Sequence, residues 1–208
     1  IASCLVGSEM CIRDRNMEIM GFYLGIMLDK ENAFGYLYGS EDSEEKVMVR
    51  SFEGLLEMLF SADHGSVKRY KSDQTIELYD FEYDGNSKLR NDFKDLLKIR
   101  EGALCFVKRF CENSLSDVIR WDKTMAFDAI CRLGTETRQS DLNRFGNWSF
   151  YANNTISPLA KPNRGVYFSF LKLKKGISSS PWKIGYLKRF LKIPLPYLRI
   201  YKWFMHDQ

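Results

Sequence analysis

The sequence holds few of the residues from which common catalytic and metal sites are built. Its 208 residues include two histidines and five cysteines, and no two cysteines have the CxxC spacing of a zinc site. The GxxxxGK(S/T), GxGxxG, HExxH and GxSxG motifs are all missing. No apolar run approaches the roughly 18 to 20 residues that a membrane-spanning helix needs. No enzyme class is therefore indicated by a motif, and any membrane contact is expected from the surface.

The overall composition is that of an ordinary globular domain. Hydrophobic residues make up 45% of the chain, charged residues 28% and aromatic residues 14%. These proportions exclude a disordered, collagen-like or disulfide-scaffold protein.

Residues 5–15 read LVGSEMCIRDR. The segment is similar to one translated reading frame of the transposase adapter used to prepare sequencing libraries. The resemblance implies that residues 1–15 are artificial, and that the natural chain begins at Met17 or upstream of Asn16. Leaving the segment out removes two cysteines, and the remaining odd number is typical of a reduced, intracellular protein. We therefore expect a cytoplasmic location, including the inner face of a membrane.

Charge is divided unevenly along the chain. Residues 1–141 contain 19 basic and 26 acidic side chains, whereas residues 142–208 contain 12 basic side chains and one acid, Asp207. All five prolines and three of the four tryptophans also lie in this last third. Such an asymmetry points to a polyanionic partner, either an anionic membrane surface or another polyanion.

Residue periodicity predicts a single α+β domain over residues 16–180. The expected architecture is a small, mostly antiparallel sheet packed by three or four helices, followed by a basic, aromatic helical tail at 181–208. The predicted strands are 22–28 and 35–38, forming a hairpin, and 46–50, 67–83, 148–152 and 166–173. The predicted helices begin at Ser51, Ser87 and Ser114, and the last of these is the longest and ends at Gly134.

The tail forms a basic amphipathic helix when it is projected from Trp182 onward, and Pro194 and Pro196 should break it before a second short helix. Three uses of this helix remain open: docking on the protein's own sheet, contact with anionic lipid headgroups, and contact with nucleic acid. No specific nucleic-acid module is present. The residues predicted to contact a membrane or polyanion are Trp182, Lys188, Arg189, Phe190, Lys192 and Trp203.

Three carboxylates alternate along the predicted strand 67–83 and its end. Asp80, Glu82 and Asp84 would project from one face, and such oxygen ligands suit a divalent cation. The pattern resembles the acidic metal motif of nucleotide-sugar glycosyltransferases. The alternative is a solvated strand face facing nearby lysines.

Three arginines flank the polar loop after the longest predicted helix. Arg132, Arg138 and Arg144 are candidate ligands for a phosphate or carboxylate, and the alternative for this loop is an ordinary turn between helices. His64 is expected to be a surface residue, and the thiols of residues 105, 111 and 131 are expected to be buried and inert. No catalytic residue is assigned.

Three functions follow from these patterns. The favoured one is a peripheral membrane-surface protein, with a transferase of glycan or lipid metabolism as its enzymatic form. The second is a protein-interaction module, since residues 49–56, after a predicted strand, resemble the closing strand and helix of SUKH-type immunity and regulatory domains. The third is a generic nucleic-acid binder.

Overall fold

The structure is a computed structural model that describes residues 20–26, 32–39, 41–65, 67–71, 75–81, 83–113, 122–152 and 155–206. Helices dominate it and short strands are interspersed, which confirms the predicted α+β class. The strands are β1 (Gly21–Gly25), β2 (Ala33–Tyr38), β3 (Val67–Tyr70), β4 (Ile76–Leu78), β5 (Ser149–Ala152) and β6 (Thr155–Pro158). The α-helices are α1 (Ser43–Arg50), α2 (Glu53–Leu59), α3 (Ser87–Glu112), α4 (Lys123–Thr135), α5 (Gln139–Phe145), α6 (Phe170–Ser179), α7 (Lys183–Leu191) and α8 (Tyr197–His206).

The strands pair as three separate two-stranded ribbons and do not form one sheet. β3 with β4 and β5 with β6 are antiparallel, and the predicted strand 67–83 is this first hairpin. β1 and β2 pair in parallel, so the hairpin predicted for the start of the chain is wrong. Strand propensity alone does not specify the direction of pairing, which explains the error.

Residues 46–50 were predicted as a strand but form the end of helix α1. A short apolar run fits either structure, and Glu44 and Glu45 in the first turn, with Arg50 in the last, favour the helix through its dipole. The strand on which the SUKH resemblance depends is therefore absent. Ser51 does not cap α2; its buried hydroxyl donates to the Met48 carbonyl oxygen at 2.6 Å.

Helix α3 is the longest described helix, with 26 residues, and it is capped by Asn86, one residue before the predicted Ser87. Its N-terminal half packs through buried Leu89, Phe93 and Leu96. Residues 101–109, in its C-terminal half, are all exposed. The two halves therefore differ: one belongs to the core and the other projects from it.

Helix α4 matches the second half of the predicted helix 114–133, and residues 114–121 lie outside the described residues. Asp122 caps it by accepting the backbone N–H of Met125 at 2.8 Å. Gly134 does not end the helix, which continues to Thr135. The glycine instead allows close packing, because a Cβ there would overlap the ring of Phe52.

The predicted strand at 166–173 is wrong. This stretch contains a 3-10 helix, Arg164–Phe168, followed by the start of α6, which also includes the residues predicted as a loop up to Ser179. Ser169 separates the two helices, and its hydroxyl accepts the Lys172 backbone N–H at 3.4 Å. The alternation of Val and Phe with Tyr and Ser along 166–170 suggested a strand, but the local capping chemistry favours a helix.

The C-terminal helices α7 and α8 confirm the predicted break at the two prolines. Ile184 and Leu187 lie in a core cluster that α7 builds with α6, α8 and the 3-10 helix. Trp182, just before α7, lies in the other core cluster, with Phe52 and Leu159. Residues 181–206 thus contribute to both clusters.

Backbone hydrogen bonds fix the start of α7 on the first helices. The Ser51 carbonyl accepts the backbone N–H groups of Lys183 at 2.8 Å and Ile184 at 3.2 Å, and Gly54 N–H donates to the Pro181 carbonyl at 3.0 Å. The segment between α1 and α2 thus supplies an acceptor for the first N–H groups at the start of α7, and Pro181 supplies one for the first turn of α2. Among the described residues, no helix combines the length and apolarity required to cross a bilayer.

Candidate functional site

Trp182 was predicted to contact a membrane or polyanion, but the structure buries it completely. Its indole N–H donates to the carbonyl of Gly134 at 2.8 Å, which satisfies the polar atom inside the core. This tryptophan is therefore a core residue, in line with the alternative that the tail docks on the protein itself.

Lys188 and Arg189 have internal partners. Arg189 donates to the carbonyl oxygen of Ala160 and to Oδ1 of Asn147, both at 2.9 Å, and Lys188 donates to the Thr137 carbonyl at 3.3 Å. Burial lowers the pKa of both side chains, and for Lys188 the nearby charge of Glu136 acts in the opposite direction. Lys188 therefore holds the turn between α4 and α5 against α7, and Arg189 holds the segments after α5 and after β6.

The other three predicted contact residues face solvent to different degrees. Phe190 is half-buried against the ring of Tyr167, with centroids 4.8 Å apart. Lys192 is exposed and ends α7 in the left-handed conformation. Trp203 is 61% exposed on α8. Of the predicted set, Lys192 and Trp203 thus remain available to a partner.

The predicted metal ligands are only partly described. Asp80 and Asp84 are exposed, and both lie beyond the end of β4, so they do not alternate along a strand. Asp84 lies 3.6 Å from the guanidinium of Arg90. Glu82 lies outside the described residues. Within the described part of the chain, no group of three His, Cys, Asp or Glu side chains is arranged to hold a metal ion.

The three predicted anion-binding arginines all lie at the surface. Arg132 is in the last turn of α4, Arg138 precedes α5 and Arg144 is in its last turn. None of them lines either of the clefts described below.

Three cysteine thiols were predicted to be buried, and the prediction is correct for one of them. Cys131 is buried, and burial raises the pKa of its thiol to about 12. Cys105 and Cys111 are exposed on the projecting half of α3, contrary to the prediction. His64 is exposed, as expected, with Nδ1 2.8 Å from the Gly65 carbonyl oxygen.

A cleft of about 450 Å³ opens between the end of β6, the 3-10 helix, α6 and α7. We call it the basic cleft. Its cationic lining residues are Lys161, Lys172 and Lys175. Its remaining lining residues are Ser157, Pro158, Asn163, Gly165, Val166, Gly176, Ser179, Ser180, Pro181 and Tyr186. The volume is in the range of small-molecule sites, which combine apolar walls with a few polar groups.

No lining residue of the basic cleft is acidic, and residues 142–206 contain no Asp or Glu at all. The ammonium groups of Lys161, Lys172 and Lys175 form no hydrogen bond or ion pair with any residue that the structure describes. Some lysines elsewhere are paired, as Lys68 is with Glu77 at 2.7 Å. The basic cleft therefore concentrates positive charge that the described protein groups leave unneutralised.

Two polar groups on the walls are held in place locally. Oδ1 of Asn163 accepts the Gly165 backbone N–H at 3.5 Å, which leaves its NH₂ group free to face the cleft. Burial raises the pKa of Tyr186, while a hydrogen bond with the Asn163 backbone lowers it. The Tyr186 hydroxyl consequently stays protonated at neutral pH and can donate a hydrogen bond.

An exposed aromatic surface lies beside the basic cleft. We define it by Phe168 at the end of the 3-10 helix, Phe170 and Leu171 at the start of α6, and Trp203 and Phe204 on α8. Phe168 is 90% exposed and Leu171 is 78% exposed. The rings of Phe170 and Phe204 stack with centroids 5.8 Å apart, and Trp203 meets Phe204 edge to face at 5.1 Å. These contacts join α6 to α8 through Phe170 and Phe204, and Phe168 and Leu171 lie next to Phe170 in the sequence.

The aromatic surface and the basic cleft share helix α6. Leu171 and Lys175 are four residues apart and therefore lie on one face of the helix. Lys175 also lines the cleft, together with Lys172. The two helices that carry the aromatic surface also carry basic side chains: Lys174 on α6, and Arg199 and Lys202 on α8. Lys202 lies 3.6 Å from Glu44.

A second cleft, of about 700 Å³, lies beneath the proline-containing turn between α7 and α8. Lys188 and Lys192 line it with Tyr197, whose ring centroid is 5.9 Å from the Lys188 ammonium. This cleft has two lysines against three in the basic cleft, and Lys188 already donates to a backbone carbonyl.

Most of the aromatic surface is not predicted from the sequence, and neither is the cleft that Lys161, Lys172 and Lys175 line together. Phe168, Phe170 and Leu171 had been placed on a predicted strand, where alternate residues would have been buried. A useful signal was present nonetheless: these residues immediately precede Lys172, Lys174 and Lys175 in the acid-free part of the chain. Comparison of the chain with protein-family models, curated proteins and solved structures found no significant match.

Proposed function

We propose that the protein binds the surface of anionic membranes through its aromatic surface. The observation that carries this proposal is the high exposure of Phe168, Leu171 and Trp203 within a part of the chain that is basic and free of acids. Large exposed apolar patches are typical of interaction sites on soluble proteins. Aromatic rings flanked by cations suit the membrane interface, because the rings settle at the acyl boundary and the cations meet anionic headgroups.

The expected energies are sufficient for reversible binding. Complete burial of a Leu or Phe side chain contributes about 1.5–3 kcal/mol. Each nearby Lys or Arg adds about 1 kcal/mol at an anionic surface. Lys174 and Arg199 are available for this role, since neither forms an ion pair with a described residue. Apolar and electrostatic contributions are thus comparable, and binding should depend on both.

The internal docking of α7 is compatible with this proposal. The apolar arc of α7 faces the core through Ile184 and Leu187, whereas the aromatic surface belongs to α6 and α8. The transferase of glycan or lipid metabolism stays a prediction from the sequence, because no described residue has a geometry that identifies a catalytic role.

The test is co-sedimentation of the full chain with vesicles of phosphatidylcholine, alone or mixed with phosphatidylserine. We expect binding to the anionic vesicles only. The double variant Phe168→Ser with Leu171→Ser should lower the affinity about 30- to 100-fold, which corresponds to 2–3 kcal/mol of lost burial. Point variants are preferred to deletion of the tail, because deletion would also remove the buried Trp182.

Two residues on α3 provide a matched control. Leu104 is 68% exposed and Phe106 is 62% exposed, so the change of both to Ser removes a similar apolar area at a distant place in the sequence. This control variant should bind like the wild type. Equal loss in both double variants, or no binding of the wild type to anionic vesicles, would contradict the proposal.

Salt provides the electrostatic half of the test. The Debye length falls from about 10 Å at 0.1 M to about 3 Å at 1 M ionic strength. Binding to phosphatidylserine vesicles should therefore weaken as salt is raised, whereas a purely apolar attachment would not.

A further inference from the structure

We propose that the basic cleft binds a phosphate monoester and that, on a membrane, this group is the headgroup of a phosphomonoester lipid such as phosphatidic acid. The lipid part of this inference rests on the proposed function, whereas the phosphate chemistry of the cleft does not depend on it.

The charge of the cleft matches a doubly charged anion. Lys161 comes from the loop after β6, and Lys172 and Lys175 come from α6, so two separate segments direct three ammonium groups to one opening. No described protein carboxylate neutralises them. A phosphate monoester carries about −1.5 to −2 charges at pH 7, whereas a phosphate diester or a carboxylate carries one. The monoester therefore relieves more of the mutual repulsion of the lysines.

The neutral groups of the cleft suit the same ligand. The Asn163 amide and the Tyr186 hydroxyl are hydrogen-bond donors, and phosphate oxygens are acceptors. Pro158, Val166 and Pro181 provide apolar walls. A volume of about 450 Å³ exceeds the needs of a bare phosphate ion, so the ligand should have an organic part attached to it.

The position of the cleft explains why the organic part would be a lipid. Leu171 lies one helical turn from Lys175, so the edge of the aromatic surface adjoins the lysines of the cleft. Interfacial side chains enter a bilayer by about 5–10 Å, to the boundary between headgroups and acyl chains. With the aromatic surface inserted, the lysines of the cleft would lie at the level of the phosphate groups.

The first experiment compares vesicles that contain phosphatidic acid with vesicles that contain phosphatidylserine, matched in surface charge, using the full chain. The wild type should prefer phosphatidic acid. The double variant Lys161→Gln with Lys172→Gln should lose this preference, with a fall in affinity of about 30-fold for phosphatidic acid. Both lysines are exposed, so the variant should keep the thermal unfolding midpoint of the wild type.

A charge-matched control separates the cleft from general electrostatics. Lys174→Gln with Arg199→Gln removes two cations that do not line the cleft. This control should weaken binding to both kinds of vesicle equally and keep the preference for phosphatidic acid. Retention of the preference in the cleft variant, or its loss in the control alone, would overturn the inference.

The second experiment uses soluble ligands and so does not depend on membranes. Glycerol 3-phosphate and inorganic phosphate are titrated into the ¹⁵N-labelled protein, and amide shifts are followed at Asn163, Gly165 and Gly176. Shifts with glycerol 3-phosphate, absent in the cleft variant, are expected. If they occur but vesicles do not bind, the membrane proposal fails and the cleft takes a soluble phosphate monoester. If vesicles bind without a headgroup preference and no shifts occur, the cleft inference fails alone.

Discussion

Helix α4 offers a test in which helix propensity and packing predict opposite signs. Gly134 lies inside α4, and exchange of an interior glycine for alanine stabilises an isolated helix by about 1 kcal/mol. In the protein, the new Cβ would overlap the ring of fully buried Phe52: the farthest of the three nearest ring atoms, Cδ2, would be 2.5 Å away. Real Cβ atoms essentially never come within 3.0 Å of another heavy atom.

We therefore expect Gly134→Ala to destabilise the protein. Overpacking of a filled core costs about 1–3 kcal/mol. A shift of the helix would also strain the 2.8 Å hydrogen bond from the Trp182 indole to the Gly134 carbonyl, whose net contribution is about 0.5–1.5 kcal/mol. After the gain in propensity is subtracted, the free energy of unfolding should fall by about 0.5–3.5 kcal/mol.

Urea unfolding, followed by circular dichroism, measures this change. Gly102→Ala in α3 is the matched control, because no atom lies within 4 Å of the Cβ it would create; it should be neutral or stabilising by up to about 1 kcal/mol. Addition of Phe52→Leu should recover part of the loss in the Gly134 variant. A Gly134 variant at least as stable as the wild type would refute the packing at this contact.

Two further predictions concern buried polar groups. Burial raises the pKa of Cys131, Tyr38 and Tyr201 to about 12, from ordinary values of 9.0 for the thiol and 10.0 for the phenols. The unfolded chain releases these protons at lower pH than the folded chain does. The free energy of unfolding should therefore decrease as pH rises from 9 to 12, by up to about 1.4 kcal/mol per pH unit for each group. Melting temperatures that do not change over this range would contradict the prediction. Trp182→Phe removes a buried indole hydrogen bond and leaves part of a core position empty. This change should lower the free energy of unfolding in urea by about 2–4 kcal/mol. The same change at exposed Trp203 should lower it by under about 0.5 kcal/mol.

The parts of the fold that the sequence predicted correctly are those fixed by local signals of sufficient length. Helix α7 and its break before α8 follow from a sustained apolar arc and two prolines. Helix α3 follows from its spacing of Leu89, Phe93 and Leu96. The strands predicted at 46–50 and 166–173 are wrong, because short runs of apolar side chains fit a strand and a helix equally well. Capping and packing decide between the two.

The candidate site was predictable in its chemistry but not in its geometry. The acid-free basic region pointed to an anionic partner, and that charge pattern can be read from the chain. The sequence could not indicate that Lys161 and Lys175 line one cleft, because their proximity depends on how α6 packs beside the end of β6. Nor could it separate exposed Trp203 from buried Trp182, since both lie among similar apolar and basic neighbours.

The bonds from Ser51 to the start of α7 have a consequence for folding during synthesis. Lys183 follows Arg50 by 133 positions in the chain, and its ammonium group also donates to the Arg50 carbonyl at 3.0 Å. At about 5–20 residues per second, a ribosome takes roughly 7 to 27 s to make this interval. Until then Phe52, which ends buried in the same core as Trp182, has an incomplete environment. The nascent chain should therefore expose apolar side chains to chaperones until residues 181–206 have emerged from the ribosome.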